Sequence, residues 1–398
     1  MKRTLSLLLV LFVACAARSA ATDSIRFSLL TCGPGEEIYS LFGHTAIRYE
    51  NPAERMDVVF NYGIFDFNAP HFMLRFTLGK TDYLLGATNY YRFIASYAGD
   101  GREVWEQPLN LTDEEKLRLL AQLKENYRPE NRMYRYNFFY DNCATRPRDQ
   151  IERALEGERL AYAEDMTTTD TGVTFRDMVH RCTEGHPWAR FGIDLCLGYG
   201  ADRPISRREM MFVPLYLKDC FAGASIVSAD GSRRPLAASM QTVVQADSPQ
   251  PYRGITPLQA ALLLLAVVCV LSLYGLKRGK TLWGVDLLLF AAAGLGGCLL
   301  AFMAAFSEHP TVDGNLLLFF LHPLHLFCLP WMINKVRKGR KSRYMLLNSA
   351  VLTLFILTWP VNPQEFDAAV LPLALCLMVR SVSNLLTDRK RRAIPAKP

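Results

Sequence analysis

No glutamate-flanked histidine pair and no close pair of cysteines occurs in this 398-residue sequence. The spacings that hold zinc are therefore missing, and no metal or cofactor is expected. No internal repeat is visible either, so the wall-binding modules that commonly accompany cell-wall peptidases are lacking. The formal charge of +7 comes with no RNA- or DNA-binding motif. That argues against a nucleic-acid partner and leaves the basic residues to be explained another way. Lys and Arg are also absent from two short stretches between long apolar runs, Ser307 to Asn315 and Asn362 to Asp367.

The apolar runs supply that explanation. Five of them fill the C-terminal third: Thr256 to Leu276, Leu282 to Phe306, Leu316 to Ile333, Tyr344 to Val361 and Ala368 to Leu386. Each is long enough to cross a hydrocarbon core of roughly 30 Å as a helix. The N-terminal stretch has Lys2 and Arg3, an apolar core from Leu5 to Ala14 and small residues at Ser19 to Ala21, which is the anatomy of a secretory signal. If the following domain is exported, the clusters Lys277 to Lys280, Lys335 to Arg343 and Arg389 to Arg392 all fall inside, and the two stretches without Lys or Arg fall outside. The expected organisation is a signal peptide over 1–21, an exported domain over 22–253, a five-helix transmembrane domain over 254–388 and a basic cytoplasmic tail over 389–398.

Within the exported part, Ile25 to Leu30, Ala46 to Arg48 and Val58 to Tyr62 have strand character. The last two flank a turn at Asn51 to Glu54, which predicts a hairpin placing His44 across from about Asn61. Thr112 with Glu115 forms a capping box for a helix to Tyr127. A second helix is predicted after Cys143, ending near Gly157. Pro147 fits only its first turn, so Cys143 stands at or just before the cap. Ser225 to Arg253, rich in small residues, Gln and Pro, is expected to be an edge or a tether.

Cys143 and His44 are the residues on which chemistry is expected. A helix start with Arg146 and Arg148 nearby would depress a thiol pKa, and a neutral histidine oriented by a third polar group would serve as its base. Asn61 is the preferred orienting residue and Asp57 the weaker substitute. Cysteine arithmetic points the same way. The exported part holds Cys32, Cys143, Cys182, Cys196 and Cys220, an odd number, so at least one stays unpaired. Cys182 with Cys196 and Cys32 with Cys220 are possible bridges, with the connectivity open, and Cys143 is the one expected to be free.

Gly43 to Arg48 (GHTAIR), Asn61 to Phe67 (NYGIFDF) and Tyr136 to Asp149 (YNFFYDNCATRPRD) resemble the periplasmic N-terminal domain of Lnb-type lipoprotein N-acyltransferases of Bacteroidota. The similarity covers most of Ile25 to about Glu158. The histidine-before-cysteine order is also similar to circularly permuted papain-like enzymes, including the lecithin:retinol acyltransferase group. The resemblance implies an α+β fold, a permuted papain-like exported domain followed by an all-α bundle of five transmembrane helices in a bacterial inner membrane. It implies a thioacyl-enzyme on Cys143 with His44 as base. The acyl donor would be a membrane phospholipid or a lipoprotein, and the acceptor a diacylglyceryl lipoprotein.

Arg146, His309, Asn315 and His322 are the expected substrate-binding residues. Ser307 to Pro310 followed by Asn315 resembles the family's outer loop. His322 and His325, three apart on the third apolar run, would share a helix face, where ionisable groups are functional by default. His71, His180 and His186 are taken as surface or structural, and Gly294, Gly296 and Gly297 as helix-packing positions. Two competing expectations remain: a membrane-anchored cysteine peptidase or amidase, and a non-catalytic anchored domain with Cys143 in a disulfide.

Overall fold

The structure, a computed structural model, describes residues 25–247 and 251–393. The expected signal peptide at 1–21 lies outside the described residues. The chain divides into two compact units, one of residues up to Val173 together with Pro204–Gln250, the other of Thr174–Arg203 together with Pro251 onward.

The first unit is built on an antiparallel sheet. Its strands are β1 (Arg26–Cys32), β2 (His44–Asn51), β3 (Met56–Ile64), β4 (Asp82–Asn89), β5 (Val104–Pro108) and β6 (Met133–Arg135). A small second sheet holds β7 (Arg159–Ala161), β8 (Ser225–Val227) and β9 (Arg233–Pro235), and β10 (Gln241–Val244) returns to the edge of the main one. The main sheet is seven-stranded in the order β10-β5-β1-β2-β3-β4-β6. The stretch expected as an edge or tether thus supplies three strands.

Both faces of this sheet are covered, and successive residues along a strand enter different cores. Leu29, Ile47 and Phe60 pack in one cluster with Leu119 and Leu123 of α2 (Asp113–Tyr127) and Ile151 of α3 (Thr145–Ala154). Their neighbours Leu30, Ala46 and Val59 pack in the other with Phe93 of α1 (Tyr90–Gly99). The predicted hairpin is present, turned by Pro52–Glu54 with Arg55 in the left-handed region at φ 54°. The predicted capping box is present too: the Thr112 amide donates to Glu115 at 2.6 Å, and the Glu115 amide donates to the Thr112 hydroxyl at 3.3 Å.

Among the described residues, the second unit contains four helices long and apolar enough to cross a membrane: α6 (Pro257–Arg278), α7 (Trp283–Phe306), α9 (Arg343–Thr358, apolar on to Val361) and α10 (Val370–Ala393). The third apolar run is not one straight helix. It breaks into a 3-10 turn at Leu316–Phe319, one helical turn at Leu324–Phe327 and α8 (Leu329–Arg337), with a bend of 73°. Pro323 and Pro330 each remove an amide hydrogen from the helix ladder, which accounts for the break. Gly294 and Gly297 of α7 let the broken segment approach, since a side chain on either would collide with the Leu326 or His322 backbone. Asp286 and Arg380, both fully buried, pair at 2.7 Å, and Asn384 donates to the same carboxylate at 2.9 Å. These two charges inside the bundle are thereby partnered.

The remaining part of this unit is α4 (Phe175–Cys182) and α5 (Pro187–Cys196). The Asn315 amide donates to Leu195 O at 2.8 Å, the Gln364 amide to Leu197 O at 2.9 Å and the Gly198 N–H to Thr311 O at 2.7 Å. Trp188 Nε1 donates to Ile255 O at 2.8 Å, just ahead of α6. All four bonds reach loops that the charge distribution places on the outer side.

Candidate functional site

Cys143 stands two residues before α3, held there by its neighbour. Asn142 is 3% exposed, and its side-chain oxygen accepts the amides of Ala144 at 2.8 Å and Thr145 at 3.0 Å. Its side-chain amide donates to Phe138 O and Phe212 O, both at 2.9 Å. The asparagine therefore caps the helix and fixes the loop that carries the thiol. The placement deduced from Pro147 is the one observed.

His44 begins β2, directly opposite Cys32 at the end of β1. The β2–β3 register pairs Ile47 with Phe60, which puts Asn61 level with Ala46, two residues along from His44 and on the same face. Diagonal neighbours of this kind can touch, and His44 Nε2 lies 2.5 Å from Asn61 Oδ1. A carbonyl oxygen only accepts, so Nε2 carries the proton and donates it, which leaves Nδ1 of the neutral ring with a free lone pair. Asp57, the weaker candidate, is instead committed to Arg48 through two bonds of 2.9 Å.

Gly63 brings the thiol to the imidazole. Its φ of 96° lies where glycine is favoured, at a register shift between β3 and β4. A methyl group on it would sit 3.6 Å from Cys143 Cβ, 4.0 Å from His44 Cε1 and 4.0 Å from Tyr134 Oη. Side chains from β2, β6 and the start of α3 thus converge on one point. Those contact distances are ordinary ones, so the backbone angle rather than crowding should set the cost of a side chain. Gly63→Ala is expected to lower stability by about 1–2 kcal/mol, measured by thermal or urea unfolding of the full-length protein.

The electrostatics differ from the expectation of a charge-activated thiol. Burial pushes the Cys143 thiol up to about 11, against weaker opposition from the Thr45 and Cys143 amides and the Arg102 charge. Burial also pushes the His44 imidazole down to about 4, with the Asn61 bond opposing and the Arg102 charge adding to the fall. At neutral pH the pair is an uncharged thiol and an uncharged imidazole. Arg146 does not point its charge at the thiol: it forms a bidentate pair with Asp141 at 2.6 and 2.7 Å and lies 3.5 Å over the Tyr134 ring. Arg148 is bound to Asp149 at 2.8 Å and to Arg208 O.

Arg102, Tyr134 and Cys32 also lie near the thiol, the first two without a local signal in the sequence. Arg102 donates to Gly33 O at 2.8 and 3.1 Å and stacks on Tyr97. Tyr134 is 8% exposed, and its hydroxyl has no hydrogen-bond partner among the described residues. Cys32 is fully buried and its thiol is pushed up to about 12, chiefly by that burial, with a bond to Tyr97 opposing. All nine described cysteines are free thiols, so neither the Cys182–Cys196 nor the Cys32–Cys220 bridge is present.

The other residues expected to bind substrate belong to the helical unit. Asn315 is 3% exposed and structural: it caps the turn at Leu317 at 3.0 Å, bonds Leu195 O and accepts the Gln364 amide at 3.2 Å. His309 lies in the loop after α7, its amide donating to the Ser307 hydroxyl at 3.3 Å. His322 precedes the short helical turn and stacks on His325 with ring centroids 3.8 Å apart. His325 is fixed between Tyr344, whose hydroxyl donates to Nδ1 at 2.7 Å, and Phe320 O, which accepts from Nε2 at 2.9 Å. No group of three or more metal-ligating side chains occurs among the described residues.

Comparison with protein families covers both units. The Lnb N-terminal periplasmic domain matches residues 12–178, and the Lnb transmembrane domain matches residues 249–392. Searches of curated proteins and of solved structures found no match. With a periplasmic-domain match over most of the sheet and a transmembrane-domain match over the membrane helices, the chain belongs to the Lnb family of membrane-anchored lipoprotein N-acyltransferases.

Proposed function

We propose that the protein moves a fatty acyl chain from a membrane lipid, through a thioester on Cys143, to the N-terminal amine of diacylglyceryl-cysteine lipoproteins. The observation that carries this reading is the convergence of Cys143 and His44 about Gly63, with Asn61 bonded to His44, in a chain of this family. Its setting is the inner membrane, with the cysteine-bearing unit in the periplasm.

Because both partners rest uncharged, the thiol proton moves to His44 Nδ1 as the sulfur attacks the ester carbonyl, rather than beforehand. The C–S bond forms and the carbonyl oxygen takes the charge. When it returns, the ester C–O bond breaks and His44 gives its proton to the departing lysolipid oxygen. The lipoprotein amine then attacks the thioester and yields a proton to His44. The C–N bond forms, the C–S bond breaks and the sulfur regains its proton. Asn61 keeps the ring in the one tautomer that serves both halves. Burial around the thiol slows loss of the thioester to water.

The test is to incubate the full-length protein in vesicles with a phospholipid carrying a labelled acyl chain. Label that is hydroxylamine-labile, maps to Cys143 and is discharged by a diacylglyceryl-cysteine peptide is the expected result. Label absent from Cys143, or indifferent to the amine acceptor, would overturn the proposal.

A further inference from the structure

The segment Thr174–Arg203 packs on the helical unit, and it carries a cavity the acyl-transfer chemistry does not use. The cavity is open, about 440 Å³, and lined by Asp177, His180, Arg181, Thr183, Glu184 and Arg190 among others. That volume falls in the range of small-molecule sites. Beneath it Arg176, fully buried, pairs with Asp194 at 2.8 Å and Asp202 at 2.7 Å, and His180 Nε2 also reaches Asp194 at 2.9 Å. Asp194 thus has hydrogen bonds from two partners, of which Arg176 is shared with Asp202. Arg190 comes only within 3.9 Å of it, and its buried Nε has no hydrogen-bond partner among the described residues. Arg181 makes one weak contact, 3.8 Å to Met178 Sδ. Two guanidinium groups therefore line the cavity, Arg190 with only the long contact to Asp194 and Arg181 with none to a carboxylate among the described residues, while Glu184 lies exposed on its rim.

The position of the cavity identifies the source of a ligand. Trp188, 48% exposed, follows the rim residue Pro187 and bonds Ile255 O at the head of the first span. An exposed tryptophan fixed at a helix mouth marks the headgroup layer. The bonds from Asn315 and Gln364 hold the same segment to the outer loops.

We infer that this cavity binds the headgroup of a phospholipid bearing both a phosphate and a primary ammonium group, the phosphate on Arg181 and Arg190 and the ammonium on Glu184. Paired guanidinium groups suit a phosphate diester. A purely anionic headgroup would leave the carboxylate opposed to its charge, and a quaternary ammonium would offer it no N–H. The inference goes beyond the acyl-transfer reading and is independent of it, because binding can be measured without turnover.

The experiment uses the full-length Cys143→Ala protein in phosphatidylcholine vesicles containing a photo-crosslinkable phosphatidylethanolamine, competed with unlabelled lipids. Arg181→Gln with Arg190→Gln is expected to cut crosslinking about tenfold, the loss of roughly one charge-assisted contact. Glu184→Gln is expected to reduce phosphatidylethanolamine crosslinking severalfold while leaving a phosphatidylglycerol probe undiminished. Unchanged crosslinking in the double variant overturns the site. Equal losses of both probes in Glu184→Gln overturn the ammonium assignment. Soluble phosphoethanolamine competing as well as the lipid would make this a site for a free phosphate compound and overturn the lipid assignment.

Discussion

Cells in which Cys143→Ala replaces the native protein are expected to lose N-acylated lipoproteins, with transfer by the variant down by at least about 10⁴-fold. The magnitude follows from the mechanism: without sulfur there is no thioester, and a direct reaction of two amphiphiles has no nucleophile positioned for the first step. His44→Ala keeps the sulfur and should retain more, a loss of about 10²–10⁴-fold. With the thiol held up near 11, little thiolate is present at neutral pH, and the proton has no acceptor of the right geometry once the imidazole is gone. Mass spectrometry of lipoprotein N-termini reads both variants. If the N-acyl group persists unchanged with Cys143→Ala, the thioester route is wrong whatever the family. A hydrolase acting on peptide bonds would leave those N-termini untouched in all three strains, which separates it from a transferase.

The parts of this site legible in the sequence are those with local rules behind them. Pro147 tolerates only the first helical turn, so it located Cys143 within two residues of α3. The hairpin turn fixed the parity of β2 against β3, and parity alone put Asn61 on the face of His44. Glu115 announced α2 through its cap. What failed to show was every feature that depends on distant chain. Arg146 looked like charge support for the thiol because proximity in sequence hides direction, and its charge is spent on Asp141. The thiol was expected to be acidified, yet its burial outweighs a helix start in setting its proton affinity. Asn142 could have been recognised, since an asparagine side chain close ahead of a helix readily accepts its first free amides. Gly63 could not: its neighbours come from three elements, none close in sequence. In the membrane part, hydropathy found the third apolar run, but hydropathy is blind to continuity. Pro323 and Pro330 carried that information.

Tyr134→Phe is expected to reduce acyl transfer by about 10²–10³-fold while leaving substrate affinity and thiol alkylation nearly unchanged. Three observations lead to it. The hydroxyl is buried and has no hydrogen-bond partner among the described residues, a state that costs free energy in the resting protein. It lies 4.0 Å from the same point beside Gly63 that Cys143 and His44 approach. Burial, with the Cys143 charge adding, raises its pKa well above the ordinary tyrosine value, so the hydroxyl stays a donor throughout the working pH range. In the proposed reaction, a donor left unsatisfied at rest and placed beside Cys143 gains its partner when the carbonyl oxygen becomes an anion. Arg146, paired with Asp141, stacks on the ring at 3.5 Å, which gives its direction a use different from lowering the thiol: it holds the ring that carries this donor. The two roles make separable predictions. A purely structural tyrosine would leave kcat intact or unfold the site, changing alkylation of Cys143 along with it. An oxyanion donor lowers kcat while KM and alkylation hold, because phenylalanine preserves the packing and removes only the proton that meets the developing charge.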